Sequence, residues 1–219
     1  MMAFKHHPTV IRKFRAAIRM TQTHLPARLP PLLFLTDPDR TPDPVRIARR
    51  LPEGSGVIYR HFGAANRIET ATDLAHACKE CRLTILIAAD PDLALQVNAD
   101  GVHWPEARLA LARHWRGAFA VNTTSAHSMR ALHRAAQVGM DAALVSAVFP
   151  SNSPSAGHPL GAPRFRILAN RAPMPVYALG GITARTAGRI ASHSALAAID
   201  GLVRDKAAAV LQSSARTTS

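Results

Sequence analysis

The apolar run in PVYALGGIT ends in two glycines, Gly180 and Gly181, with Thr183 placed to cap whatever follows. Paired glycines let backbone N–H groups approach a ligand closely, because no Cβ intervenes. After a buried strand such a turn suits a phosphate oxygen, although a plain tight turn uses the same pair. A second polar stretch, FPSNSPSAGHPLG, carries Ser151, Ser153, Ser155 and His158 over a long irregular run. Long loops inside compact domains usually carry function, and these hydroxyls suit phosphate oxygens facing the Gly-Gly turn. Arg60 in GVIYRHF offers a permanent cation, while Ser125 and His127 in TTSAHS offer a hydroxyl and an imidazole. An imidazole near neutrality serves as both general acid and general base. The stretch LIAADPDLAL is different. Its apolar run ends in Ala88 and Ala89, and only then come Asp90 and Asp92. Asp37 and Asp90 each precede a proline, so each reads equally as a helix N-cap or a turn residue. His103, ahead of Trp104 and Pro105, reads either as a rim group or as a satisfied polar group under the loops.

These residues need elements to hold them. Eight apolar runs recur: PLLFLTD (31–37), GVIYRHF (56–62), TILIAA (84–89), GVHWP (101–105), AFAVNTTSA (118–126), DAALVSAVF (141–149), PVYALGG (175–181) and ALAAID (195–200). A segment with helical spacing follows each, TARTAGRIA after the seventh among them. Strands this apolar are buried on both faces, which implies parallel pairing. Eight such units predict an α/β fold, a compact (β/α)8 TIM barrel with a basic N-terminal extension. An open doubly wound sheet is the alternative, but no GxGxxG follows the first strand. In a barrel the active groups sit at C-terminal strand ends, and phosphate binds near the loops after strands seven and eight. That rule selects the residues above. It also sends His61 outward if Arg60 points inward, because strand side chains alternate.

The bulk properties narrow the classes. The chain has 219 residues and a formal charge of +13. Its arginines are dispersed, and only 5% of residues are aromatic, without the basic and aromatic interleaving that stacks bases. Nucleic acid is therefore not an expected partner, and a phosphorylated small molecule accounts for part of the charge. No apolar stretch is long enough to span a bilayer, so no membrane association is expected. Cys78 and Cys81 fall within a helical pattern rather than at a helix start after a strand, which reads as reduced thiols in a cytoplasmic protein. Residues 1–30 read as the basic extension, 31–203 as the barrel, and 204–219 as a helix end and tail. The extension is expected as a solvated or frayed leading helix, with a transit segment and a lipid-surface helix as alternatives.

The pieces FLTD, GVIYRHF, DLAL…ADGVHWPE, SAHSMRALHRAAQVGMDAALVSAVFPS, HPLG and PVYALGGIT, in this order across about residues 31–202, resemble thiamine phosphate synthase and its TenI-like thiazole tautomerase relatives. The resemblance implies a (β/α)8 barrel. It implies one of two activities: magnesium-dependent coupling of a pyrimidine pyrophosphate to a thiazole phosphate, or metal-independent isomerisation of the thiazole ring. Site residues carry over unevenly. The pyrophosphate-holding pattern Gln-x-Arg-x-Lys is here Ile58, Arg60 and Phe62. The Asn-Asp-Arg that contacts pyrimidine and magnesium is Ala88, Ala89 and Asp90, and Arg108 stands where the second metal-binding aspartate is usual. Ser151, Asn152, Ser153 and Pro154 replace Thr-x-Thr-Lys, and Asp200 replaces a serine, where its charge would oppose a phosphate. Arg60, Ser125, Ser151, Ser153, Gly180 and Gly181 remain as a substrate-binding set, with His127 and Arg60 as the catalytic candidates. In the tautomerase branch a histidine matching His127 moves the ring proton; otherwise His127 merely caps the following helix. No cofactor is expected, and magnesium only if Asp90 substitutes for the missing ligand. The implied partner is a phosphorylated thiazole or thiamine phosphate. A homodimer is compatible with the resemblance, and so is a non-catalytic binder.

Overall fold

The computed structural model describes residues 9–203, apart from 152 and 154–156. Its strands are β1 (Leu32–Leu35), β2 (Gly56–Tyr59), β3 (Thr84–Ala88), β4 (Gly101–Trp104), β5 (Val121–Ala126), β6 (Ala142–Val145), β7 (Val176–Ala178) and β8 (Ala195–Ala198). All pair in parallel, and β1 pairs with both β2 and β8, so the sheet closes into a barrel. This is the (β/α)8 architecture expected from the eight apolar runs. The closure has a simple cause. Strands that are apolar on both faces need cover outside and filling inside, and a closed sheet supplies both while leaving no edge.

Alternation sorts the side chains. Leu33, Leu35, Ile58, Leu86, Ala88, Leu144, Tyr177 and Ala197 belong to one buried cluster, the filling of the barrel. Phe34, Val57, Tyr59, Ile87, Val102 and Val145 belong to a second, between sheet and helices. Arg60 continues the inward row of Ile58. His61 follows the outward row, stacks against Tyr59 at 4.9 Å between ring centroids and is buried, as alternation requires.

The helices begin where local chemistry starts them. Asp43 accepts from the Arg46 N–H ahead of α2 (Pro44–Ala48), and Asp90 accepts from the Leu93 N–H ahead of α4 (Pro91–Gln96), each with proline in the first turn. Ser128 caps α6 (Met129–Val138), which Gly139 ends in the left-handed region. The layer is completed by α3 (Arg67–Glu80), the four-residue α5 (Leu109–Ala112), α7 (Gly161–Arg171) and α8 (Asp200–Val203). Cys78 is buried within α3, and burial pushes its thiol up to about 12, so it stays protonated at neutral pH.

Two expectations change. The TARTAGRIA segment forms only a short 3-10 turn, 187–189, rather than a full helix. The basic leader is not simply solvated. It forms α1 (Thr9–Gln22), which buries Phe14, Ala17 and Ile18, while the Thr21 hydroxyl donates to the carbonyls of Ala191 and Ser194. The helix packs beside β8 and the short 3-10 turn that follows β7. The helix end and tail expected over 204–219 lie outside the described residues, and no described helix is long and apolar enough to cross a membrane.

Candidate functional site

A cavity opens at the C-terminal rim between the loops after β1, β2, β6, β7 and β8. Its lining includes Arg40, Arg60, Ser151, Ser153, Gly180, Gly181 and Asp200. Five of the expected binding residues therefore converge, joined by Arg40, which sequence reasoning passed over. Its only signal was an arginine in the DPDRTPD loop just beyond a strand end.

The glycine turn is built by its neighbours. Gly180 and Gly181 have φ of 90° and 65°, the left-handed region. The turn also lies tight against the loop after β6: a Cβ on Gly181 would fall 2.5 Å from the Pro150 carbonyl oxygen. Backbone bonds knit the two loops, from Val148 N–H to the Leu179 carbonyl at 2.9 Å and from Phe149 N–H to the Gly180 carbonyl at 3.0 Å. Thr183 lines the cavity instead of capping a helix, and Thr186 takes the structural part, donating to the Gly181 carbonyl at 2.9 Å. Arg189 packs over the Phe149 ring at 5.3 Å. Ser151 is held by the Ser153 N–H, which donates to its Oγ at 3.3 Å.

Charge is distributed unevenly around this cavity. Arg40 bridges two carboxylates, Asp37 at 2.8 Å and Asp200 at 3.2 Å, so the Asp200 charge is answered within the protein. Asp37 lies below its usual range despite the opposing effect of burial, through the hydrogen bonds and charge of Arg40 and the charge of Arg60. Arg60 is half-buried, and its guanidinium makes no hydrogen bond or ion pair among the described residues. Burial, with the nearby charge of Arg40, lowers its pKa against the pull of Asp37. A partly desolvated cation with no hydrogen-bond or ion-pair partner among the described residues, beside a glycine turn and two serines, has the chemistry to receive an anion.

The opposite part of the rim is occupied differently. Ala88 is buried, Ala89 turns through φ 58°, and neither carries a ligand atom. Asp90 is fully engaged: Oδ1 caps α4 and Oδ2 pairs with Arg67 at 2.6 Å. Arg67 lies 5.9 Å from the centre of the exposed Phe62 ring. Arg108 donates to the Ala89 carbonyl at 3.1 Å. Magnesium favours oxygen ligands, commonly carboxylates. This set instead presents methyl groups, a carboxylate already paired, and two guanidinium groups. No group of three or more His, Cys, Asp or Glu among the described residues is placed to hold a metal ion. The residues present do not fit magnesium.

The remaining candidates lie apart from the cavity. Ser125 is half-exposed at the end of β5 and contacts His103. His127 is exposed on the loop before α6, outside the cavity lining, where its backbone N–H donates to Glu106 at 3.3 Å. Alternation stops with the strand at Ala126, so the inward position of Ser125 does not extend to His127.

The fold and site define a closed (β/α)8 barrel with a cationic cavity over a glycine turn at its C-terminal rim. The sequence model of the thiamine monophosphate synthase family matches residues 32–202, and the chain belongs to that family. It is 33% identical over 168 residues to the thiamine-phosphate synthase of Synechococcus sp. (strain WH7803), covering 73% of this chain but 48% of that protein. It is 31% identical over 172 residues to the thiamine-phosphate synthase of Chlorobium luteolum, covering 76% and 81%. The chain thus spans about half the length of the Synechococcus relative and most of the Chlorobium one. Among solved structures, thiamine phosphate pyrophosphorylase from Pyrococcus furiosus superposes with a TM-score of 0.66 at 23% identity, over 77% of this chain and 85% of that one, a likeness of fold.

Proposed function

We propose that this chain serves thiamine biosynthesis by binding a phosphorylated thiazole, or the thiamine phosphate that contains it, without the metal-assisted coupling step. The observation that carries this reading is Arg60: a half-buried guanidinium lacking a protein partner among the described residues, in one cavity with Gly180, Gly181, Ser151 and Ser153. The phosphate lies over the glycine turn, and the serine hydroxyls supply neutral donors. Coupling would require neutralising a pyrophosphate leaving group. The paired Asp90 and the alanines before it do not supply that.

The test is thermal protection. A thiazole phosphate without magnesium is expected to raise the melting temperature, and the corresponding thiazole alcohol is not. Equal shifts from both, or none from the phosphate, would remove the phosphate cradle from the reading.

Ring isomerisation by His127 is the catalytic form of this proposal. The carrier form, binding without turnover, is favoured by the exposure of His127 outside the cavity. His127→Ala is expected to bind thiazole phosphate as tightly as the parent protein while ending any ring isomerisation. Calorimetric titration beside a proton-exchange assay on the ring separates the two properties, and a drop in affinity beyond about threefold would bring His127 into the binding site.

A further inference from the structure

One histidine lies inside the barrel. His103 faces inward from β4 with 6% exposure, and both of its ring nitrogens are engaged. Nδ1 lies 2.9 Å from Thr123 Oγ1, and Nε2 lies 3.1 Å from Ser125 Oγ. Burial, with the nearby Arg60 charge adding to it, holds the ring pKa down to about 3, so the imidazole is neutral. A neutral imidazole has one N–H, so its two contacts run in opposite senses. With the proton on Nε2, the ring donates to Ser125 and accepts from Thr123, and the Ser125 O–H is free to point outward. With the proton on Nδ1, the Ser125 O–H turns to the ring, and its free lone pair faces outward.

The chain of contacts stops at Thr123. That residue is 1% exposed and makes no further side-chain hydrogen bond among the described residues. A net proton cannot leave by this route, because it would strand a buried alkoxide. The arrangement sets polarity and does not relay charge. Ser125, unlike the two residues beneath it, is half-exposed. Its pairing partner on β6 is Leu144, and Ser146, two residues further along the same inward row, lines the anion cavity. A ligand with its phosphate over Gly180 and Gly181 and its ring directed along the rim past β6 meets Ser125 next.

We propose that His103 is a positioning residue that holds the Ser125 hydroxyl against an uncharged polar atom of the ligand's heteroaromatic ring, its tautomer deciding whether Ser125 offers a hydrogen or a lone pair. The inference rests on the phosphorylated-thiazole reading above. It names a residue acting through another, with Thr123 as the fixed inner end.

Two measurements test it, with a thiazole phosphate as the probe. In the ¹⁵N-labelled parent protein, the ring nitrogens of His103 are expected to show a neutral imidazole whose shifts move on saturation with the probe. In a double-mutant cycle on probe affinity, Ser125→Ala and His103→Gln are each expected to cost about fivefold, and the double variant no more than the larger single loss. Additive losses, or His103 resonances that stay still while the probe binds, overturn the inference alone. Failure of the parent protein to bind the phosphorylated probe overturns the reading beneath it. The spectrum of the unmutated protein separates these outcomes even if His103→Gln does not fold.

Discussion

Arg60→Gln is expected to weaken binding of a phosphorylated thiazole about a hundredfold. Hydrogen bonds to charged groups contribute about 1.5–3 kcal/mol each, and 1.4 kcal/mol is tenfold in affinity, so one or two lost contacts reach that figure. The contact is strong because the cation is already partly desolvated and has no ion-pair partner among the described residues, whereas Arg40 beside it is held by Asp37 and Asp200. Arg60→Lys keeps the charge but loses the planar fork, so it should fall between the parent protein and the Gln variant. The Gln substitution should leave the melting temperature of the ligand-free protein unchanged or raised, since it removes a partly buried charge without breaking a hydrogen bond. Titration calorimetry and a thermal melt on one preparation check both parts. A loss under threefold would show that the phosphate is held elsewhere.

Lowering the pH from about 6.5 toward 3 should destabilise the fold progressively, by roughly 1 kcal/mol per pH unit, through His103 alone. The folded pKa of this ring is about 3, because burial opposes its charge. The unfolded chain takes up the proton below about 6.5 while the folded chain does not, so acid favours unfolding. The stabilising effect is complete above the unfolded value and is lost on the way down to the folded one. His61, buried with an unpartnered Nε2 and its pKa lowered first by burial, pushes in the same direction. Asp37 and Asp90, both held below their usual range, add their loss only at lower pH, below the ordinary carboxylate value of 3.8. The interval between pH 6.5 and 4 therefore belongs to the histidines. Urea unfolding across that interval should show the slope in the parent protein and a shallower one in His103→Gln. Identical slopes would mean that His103 is charged in the folded state.

Much of the barrel was legible because it is written in local periods. Residues apolar on both faces of a strand announce themselves without their partners, and eight of them separated by helical segments leave few topologies. The strand ends placed Arg60, Ser151, Ser153, Gly180 and Gly181 on one rim, and alternation sent His61 outward. Where the local pattern weakened, the reading weakened too. TARTAGRIA carried helical spacing but closed into a short 3-10 turn, where Thr186 donates its hydroxyl to the Gly181 carbonyl.

By itself, then, the sequence determined the repeat that becomes a barrel and the polar types that meet above it, since both follow from spacing along the chain. Tertiary structure alone decided which of those groups are free to act. Asp90 read as a cap or turn residue, with a substitute metal ligand as the alternative, until Arg67, 23 residues earlier, was brought to 2.6 Å from it. Asp200 promised to repel a phosphate until Arg40, 160 residues away in sequence, supplied its counter-charge. The sequence offered His127 as a catalytic candidate and left His103 as a rim group or a satisfied polar one. One stands exposed past the end of its strand and the other is enclosed between Thr123 and Ser125. The physical reason is common to all four: the charge, orientation and reach of a side chain depend on groups that only closure of the sheet brings near.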